Sequence, residues 1–268
     1  MPSRRWCAPA VGLTAAALAV APLTTAAAQA ATATNSAATN STVTDTVGTS
    51  TSWAGYQTES GSGLTSVSAT WTVPTVACGS SATAGNAFVG LEDGSGHDVQ
   101  VGITADCSGG GESVMPWELA DGSPFLLAVD LPSPGDSVTL SVTYSAELSS
   151  SDYVMYATSV TDNTQGWNEW IGTGASGYDL DSHADVGVDS VTYQDTSLPP
   201  GLGPGWLSSI TEPLAQFTPV NFTDVTVNGS ALGTYSTDQN SLVSSSGATL
   251  AATSALSGAG SFTVTDEG

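Results

Sequence analysis

The sequence predicts an all-β fold, a sandwich of two packed antiparallel sheets, and three observations carry that prediction. Short runs rich in Val, Thr, Tyr and Trp recur along the chain, and clusters of Gly, Pro, Ser and Asp separate them. Apolar residues at helical spacing are hard to find beyond the first thirty positions. Strands with one polar face bury the other against a second sheet. No internal repeat points to a propeller or solenoid.

In chain order, residues 1–30 read as a secretory signal peptide. Arg4 and Arg5 supply its positive end, Val11 to Pro22 an apolar stretch, and Ala28-Gln29-Ala30 a small-x-small cleavage site. The apolar stretch is too short and too alanine-rich to anchor in a membrane. Residues 31–50 are largely Ala, Thr, Ser and Asn, a composition that cannot bury a core, and are expected to be a disordered leader or short pro-segment. Residues 51–268 then form a single domain of roughly 220 residues, enough for a full core. Its candidate strands are "SVSATWTV" from Ser66, "NAFVGLE" from Asn86, "DVQVGI" from Asp98, "FLLAVDL" from Phe125 and "DSVTLSVTYSA" from Asp136. They continue with "YVMYATSV" from Tyr153, "ADVGVDSVTYQ" from Ala184, "FTDVTVNG" from Phe222 and "GSFTVT" from Gly260.

Charge narrows the partners. The chain has 2 Lys and Arg against 25 Asp and Glu, a net charge of -23, and both cations are Arg4 and Arg5. Without the signal the formal charge is -23 - 2 = -25. Such an excess repels nucleic acid and anionic lipid, so neither nucleic acid nor membrane is an expected partner. It suits a secreted protein in an acidic exterior, where carboxyls with reference values of ~4 gain protons and the repulsion fades. Only 10% of residues are charged, which argues against a halophile. Cys7 falls within the signal, and the remaining Cys78 and Cys107 predict one disulfide in an oxidising compartment. A metal site is the weaker alternative, because neither Cys has a ligand at CxxC spacing.

Few stretches carry chemistry. No GxSxG elbow surrounds a Ser, so no nucleophilic triad is expected. "EDGSGHD", Glu92 to Asp98, offers oxygen ligands but lacks the EF-hand pattern and reads as a tight acidic turn. "HADVGVD", His183 to Asp189, alternates as a half-buried strand does and sets Asp185 and Asp189 on one face with no Lys or Arg to pair them. In "DVQVGI" the same alternation sets Asp98, Gln100 and Gly102 on one face. The Trp residues could line a groove or simply pack.

Several segments, in order, resemble the glutamic peptidases called eqolisins. "TSWAGYQTESGSGLTSVSATWTVPTVAC" is similar to that family's opening strand pair, and "FVGLEDGSGHDVQVGITADC" to the stretch leading to its catalytic Gln. "MPWELADGSP", "NTQGWNEW" and "PLAQFTPVNFTDVTVNGSALG" resemble later segments, so the likeness spans about Ser52 to Val264. It implies two seven-stranded antiparallel sheets bent into a sandwich, with an active site on the concave face and no cofactor or metal. There a carboxylate acts as general base on water, and a Gln amide holds the water and stabilises the oxyanion.

Carried over, the resemblance makes Gln100 the catalytic amide and Asp185 the catalytic acid, an Asp where the family has Glu. Glu169 in "WNEWIG" is the alternative acid, because it keeps the residue type and precedes Trp170. Trp53, Glu118 and Asp189 are expected along the substrate cleft, and the family's flanking cysteines support a Cys78–Cys107 bridge. The expected function is a secreted, monomeric acid endopeptidase acting on protein or peptide. The alternative is a catalytically impaired relative that binds carbohydrate or peptide outside the cell, since an Asp base is one methylene short.

Overall fold

A computed structural model of the chain describes residues 45–59, 61, 63–79, 84–107, 111–127, 130–150, 153–175, 178–189, 191–195, 207–211 and 214–268. The expected signal peptide and residues 31–44 of the expected leader lie outside these, as does Trp206. The strands are β1 (Asp45–Ser50), β2 (Trp53–Thr58), β3 (Ser66–Thr72), β4 (Ala84–Glu92), β5 (Asp98–Asp106) and β6 (Ser113–Ala120). Next come β7 (Ser123–Leu126), β8 (Ser137–Tyr144), β9 (Val154–Asp162), β10 (Trp167–Ala175), β11 (His183–Asp189) and β12 (Val191–Asp195). The last are β13 (Leu207–Thr211), β14 (Val220–Val227), β15 (Ser230–Ala231), β16 (Thr237–Val243), β17 (Thr249–Thr253) and β18 (Phe262–Asp266). Among the described residues the one helical element is a 3-10 turn, Leu232–Thr234.

The strands hydrogen-bond in the order β10-β9-β8-β3-β14-β18-β17-β16-β2-β11-β4-β5-β6-β7, a continuous ribbon that folds onto itself. The fold occurs within β14. Its first residues, Val220 to Phe222, pair with β18, whereas Thr223 to Val227 pair with β3. Between them the register shifts and Asp224 takes a left-handed φ of 51°. A bulge of this kind bends the strand and sharpens its twist, which lets one strand serve two sheets. The two halves then face each other: β3 packs on β4 and β11, β8 on β4 and β5, and β9 on β5.

Alternation fills the layer between. Val67, Ala69 and Trp71 of β3, with Val138, Leu140 and Val142 of β8, meet Val89 and Leu91 of β4 and Val99, Val101 and Ile103 of β5, all buried. Each such side chain contributes about 1.5–3 kcal/mol by leaving water. Near the bend, Phe222 stacks on Phe262 at 4.7 Å and lies 5.4 Å from Trp71. Cys78 and Cys107 form a disulfide with Cα atoms 5.3 Å apart, tying the segment after β3 to the end of β5.

One boundary differs from expectation. Asp45–Ser50, placed in the leader on composition, is a strand that pairs in parallel with β16. Its residues are almost all exposed, with Val47 at 73%, so it joins the sheet mainly through backbone hydrogen bonds, with one side-chain bond from the Thr237 hydroxyl to Asp45 at 2.8 Å. A strand that buries no side chain leaves no hydrophobic period to detect.

Candidate active site

The site is built on β2, β11, β4, β5 and β6, five successive neighbours in the ribbon. Cross-strand register sets one row of residues over them: Gln57, Asp185, Gly90, Gln100 and Leu119. Strand alternation turns this row to the face away from the core, where it borders a cavity of about 280 Å³. Trp53, Phe88 and Leu119 form the apolar side of the cavity, and Gln57, Glu92, Gln100, Asp185 and Asp189 the polar side.

Two glycines make the close approach possible. With neighbouring strands about 4.8 Å apart, the Cα atoms of Asp185 and Gln100 are separated by about 10 Å, one strand lying between them. The residue on that strand is Gly90, and a Cβ there would meet Cγ of Gln100 at 2.7 Å. The Gln100 side chain therefore lies over Gly90, on the side of Asp185. Two residues along β11, a Cβ on Gly187 would meet Cε3 of Trp53 at 2.8 Å, so the indole lies close over the strand between Asp185 and Asp189.

Asp185 is a buried carboxyl of the cleft. It is only 5% exposed, and its Oδ1 accepts no hydrogen bond from the protein. Burial, with the charges of Glu92 and Asp98, pushes its affinity for a proton well above that of an ordinary Asp, and a hydrogen bond with the Gln57 side chain opposes the shift. The Gln57 amide also donates to Oε1 of Glu92 at 3.1 Å, so it links the two acids. Nε2 of Gln100 donates to Oδ2 of Asp98 at 2.8 Å. Burial, with Glu92 and Asp121 nearby, pushes Asp98 up to about 6 against a bond from the Gly122 backbone. Asp189, 8% exposed, accepts a 2.8 Å bond from Nδ2 of Asn86, whose Oδ1 accepts from the Thr104 hydroxyl.

Gln100, Asp185, Trp53 and Asp189 thus border one cavity, and two other expected residues lie elsewhere. Glu118 is corrected by strand parity: Leu119 pairs with Gln100 on the cleft face, whereas Glu118 pairs with Val101 and faces the core. There it is 3% exposed and accepts a hydrogen bond from the Thr158 hydroxyl of β9. Glu169 is exposed on β10, opposite Val160, at the far end of the strand order from β7. Gln57 and Glu92 also border the cavity, and Asp98 lies beside it, bound to Gln100, but none of the three was assigned to the site from the sequence. Their signal is the alternation that leads from Gln100 back to Asp98 and from Trp53 on to Gln57.

Among the described residues no group of three or more His, Cys, Asp or Glu could hold a metal ion. The arrangement can do proton chemistry: a buried carboxyl with a free oxygen beside a neutral donor that pH does not switch.

Fold and cleft define a class, a bent β-sandwich whose sheet face carries a carboxyl and a carboxamide across one glycine. Residues 51–266 match the Peptidase A4 family, and the chain belongs to that family of glutamic peptidases, the eqolisins. Scytalido-glutamic peptidase, solved with a transition state analog inhibitor, is similar in structure with a TM-score of 0.58 at 23% identity, over 81% of this chain and 98% of that one. SCP-B, a member of the Eqolisin family solved in a complex with the tripeptide Ala-Ile-His, is similar with a TM-score of 0.54 at 22% identity, over 81% of this chain and 98% of that one. At these identities the likeness concerns the fold. No curated protein matches the chain.

Proposed function

We propose that this chain is a secreted, monomeric acid endopeptidase in which Asp185 is the general base and Gln100 the oxyanion donor. The observation that supports the pair is their shared row across Gly90 beside one cavity. Ionised Asp185 takes a proton from water as the water oxygen attacks the peptide carbonyl, and the Gln100 amide donates to the developing oxyanion. The resulting carboxylic acid returns the proton to the leaving nitrogen, which breaks the C–N bond and restores the carboxylate. The raised proton affinity of Asp185 makes its carboxylate a stronger base than an exposed one, and at acidic pH turnover is carried by the fraction of molecules in which Asp185 is ionised. Export rests on the signal-like residues 1–30 and is supported by the Cys78–Cys107 bridge.

Digestion of a denatured protein across acidic pH tests this reading. Asp185→Ala is expected to lose about 10²–10⁴-fold in kcat, Gln100→Ala about 10²–10³-fold, and Glu169→Ala nothing. Asp185→Glu keeps the carboxyl and moves it by one methylene, so it separates the acid's chemistry from its placement. Undiminished cleavage in Asp185→Ala or Gln100→Ala would overturn the assignment. Saturable peptide binding without turnover at any acidic pH would identify a binding relative instead.

A further inference from the structure

One buried carboxyl outside the cleft uses only half of its bonding capacity. Asp162, the last residue of β9, is fully buried, and strand pairing sets it opposite Val138 of β8 and Trp167 of β10. Its Oδ1 accepts the backbone N–H groups of Thr164 at 2.9 Å and Gln165 at 2.7 Å, which closes the β9–β10 turn. Its Oδ2 is buried and accepts no hydrogen bond. Burying a carboxylate oxygen without a partner is costly, so this one calls for a positive charge or a proton beside it.

Its neighbour is a second acid. The Asp162 side chain meets that of Asp136, the residue before β8, and the sequence has no Lys or Arg beyond Arg5 to lie between them. Oδ2 of Asp136 accepts from the Ser133 backbone at 2.8 Å and from Nε2 of Gln165 at 2.6 Å, and the same nitrogen is 3.4 Å from the Leu131 carbonyl. Those bonds hold Asp136 below the usual Asp value, so it is an anion at neutral pH. Gln165 is exposed, and turning its amide over exchanges the donor for Oε1 at nearly the same place. Two carboxylates, a backbone carbonyl and a carboxamide oxygen then converge from residues 131–136 and the β9–β10 turn. Asn163 and Thr164, the other polar side chains of that turn, are bound instead to Ser137 and Thr139.

We propose that Asp136 and Asp162 hold a calcium ion, with the Leu131 carbonyl and the Gln165 amide oxygen completing the protein's share of its shell. Only two of these ligands are carboxylates, but all are hard oxygens, the set that Ca²⁺ takes. Its irregular shells of about six to eight oxygens suit ligands drawn from a loop and a turn, with water supplying the rest. Mg²⁺, which needs a near-ideal octahedron, fits them less well. Metals that favour thiolate or imidazole have no sulfur or ring nitrogen to bind among these four residues. The ion brings the positive charge that the chain itself lacks there, and it clamps residues 131–136 to the turn that leads into β10. No cleft residue takes part, so the inference stands apart from the peptidase reading.

Unfolding of the intact, chelator-treated protein at pH ~7, where ordinary carboxyls are ionised, tests the site. With an affinity of ~10⁻⁴–10⁻³ M, the range of extracellular calcium modules, about 10 mM CaCl₂ at constant ionic strength should raise Tm by about 3–10 °C. MgCl₂ should do much less. The rise is expected to vanish in Asp136→Asn and Asp162→Asn and to persist in Glu147→Gln, which removes an exposed acid between β8 and β9. Asn at 162 keeps an oxygen for the two turn N–H groups, so that variant is expected to fold. Terbium gives a second readout. Trp167 pairs directly with Asp162, with Cβ atoms about 5 Å apart, so Tb³⁺ in the site should show indole-sensitised emission that Ca²⁺ displaces and Trp167→Phe diminishes. A wild-type Tm that ignores Ca²⁺ would overturn the proposal and leave a shared proton between the two carboxyls. An equal rise in either Asn variant, or an equal effect of Mg²⁺, would overturn it as well, since general screening of an acidic surface then explains the effect. If Asp162→Asn fails to fold, Asp136→Asn and the terbium emission decide.

Discussion

Gly90 shows how much of a catalytic geometry can rest on a missing side chain. It contributes no functional group, yet its place between Asp185 and Gln100 lets the amide lie across β4. In Gly90→Ala the new Cβ would sit 2.7 Å from Cγ of Gln100 and 3.4 Å from the Val99 carbonyl, so the Gln100 side chain has to shift. Overpacking of this kind costs about 1–3 kcal/mol of stability, but a misplaced donor costs about a hundredfold in rate. The variant is expected to remain folded by circular dichroism while kcat falls by about that factor; unchanged kcat would mean that Gln100 does not work from its place over Gly90. At this scale Asp185 and Gln100 were legible in the sequence because each sits in a strand of clear alternation. Gln57 was not, since what brings it to Asp185 is register between strands far apart in the chain. "EDGSGHD" was read as a turn, which describes Gly94 to Gly96 but hides that its two ends, Glu92 and Asp98, face each other across the β4–β5 pair.

At the scale of elements, the period of two places side chains only when its phase is known. For β6 the phase was one residue out: "MPWEL" offers Glu118 and Leu119 with equal ease, and pairing with β5 decides that Leu119 faces the cleft and Glu118 the core. The consequence is a buried acid spanning the two sheets, from β6 to the Thr158 hydroxyl on β9. Removing it should act on folding rather than on chemistry. Glu118→Ala is expected to lose about 1–3 kcal/mol through the loss of its buried hydrogen bond, with kcat per folded molecule retained. Denaturant unfolding alongside active-site titration would measure both, and a loss of kcat at full stability would return Glu118 to the cleft. β14 carries the same lesson for topology. Its sequence reads as one ordinary strand, and only the shift between Thr223 and Thr226 reveals that it belongs half to each sheet.

For the whole molecule, composition announced an acidic protein without saying which acids matter. Of the two Lys and Arg in 268 residues, neither lies beyond Arg5, so the carboxyls of the described residues have no Lys or Arg among them. Two of these acids, Asp98 and Asp185, shift upward, chiefly through burial. Asp98 rises from 3.8 to about 6, first through burial and then through Glu92 and Asp121, and Asp185 rises well above 3.8 through burial, Glu92 and Asp98. A raised value means that the folded chain binds the proton more tightly than the unfolded one. The stabilisation is therefore complete below the unfolded value near 3.8 and is lost as pH rises through about 6 for Asp98 and through the raised value of Asp185. For Asp98 alone the change is about 3 kcal/mol at 1.36 kcal/mol per unit. Self-repulsion among the remaining carboxylates acts in the same direction. Asp136 works against it at the acid end: bonds from the Gln165 side chain and the Ser133 backbone hold it below 3.8, so its contribution is lost as pH falls under that value. Stability should accordingly peak on the acidic side, near pH ~4–5, rather than in the usual range of about pH 5–8. Thermal unfolding at pH ~4.5 and pH ~8 would measure the difference, and Asp98→Asn or Asp185→Asn, which cannot ionise, should each flatten the decline toward neutral pH. A midpoint as high at pH ~8 as at pH ~4.5 would mean that Asp98 and Asp185 do not hold their protons more tightly in the folded state than in the unfolded one.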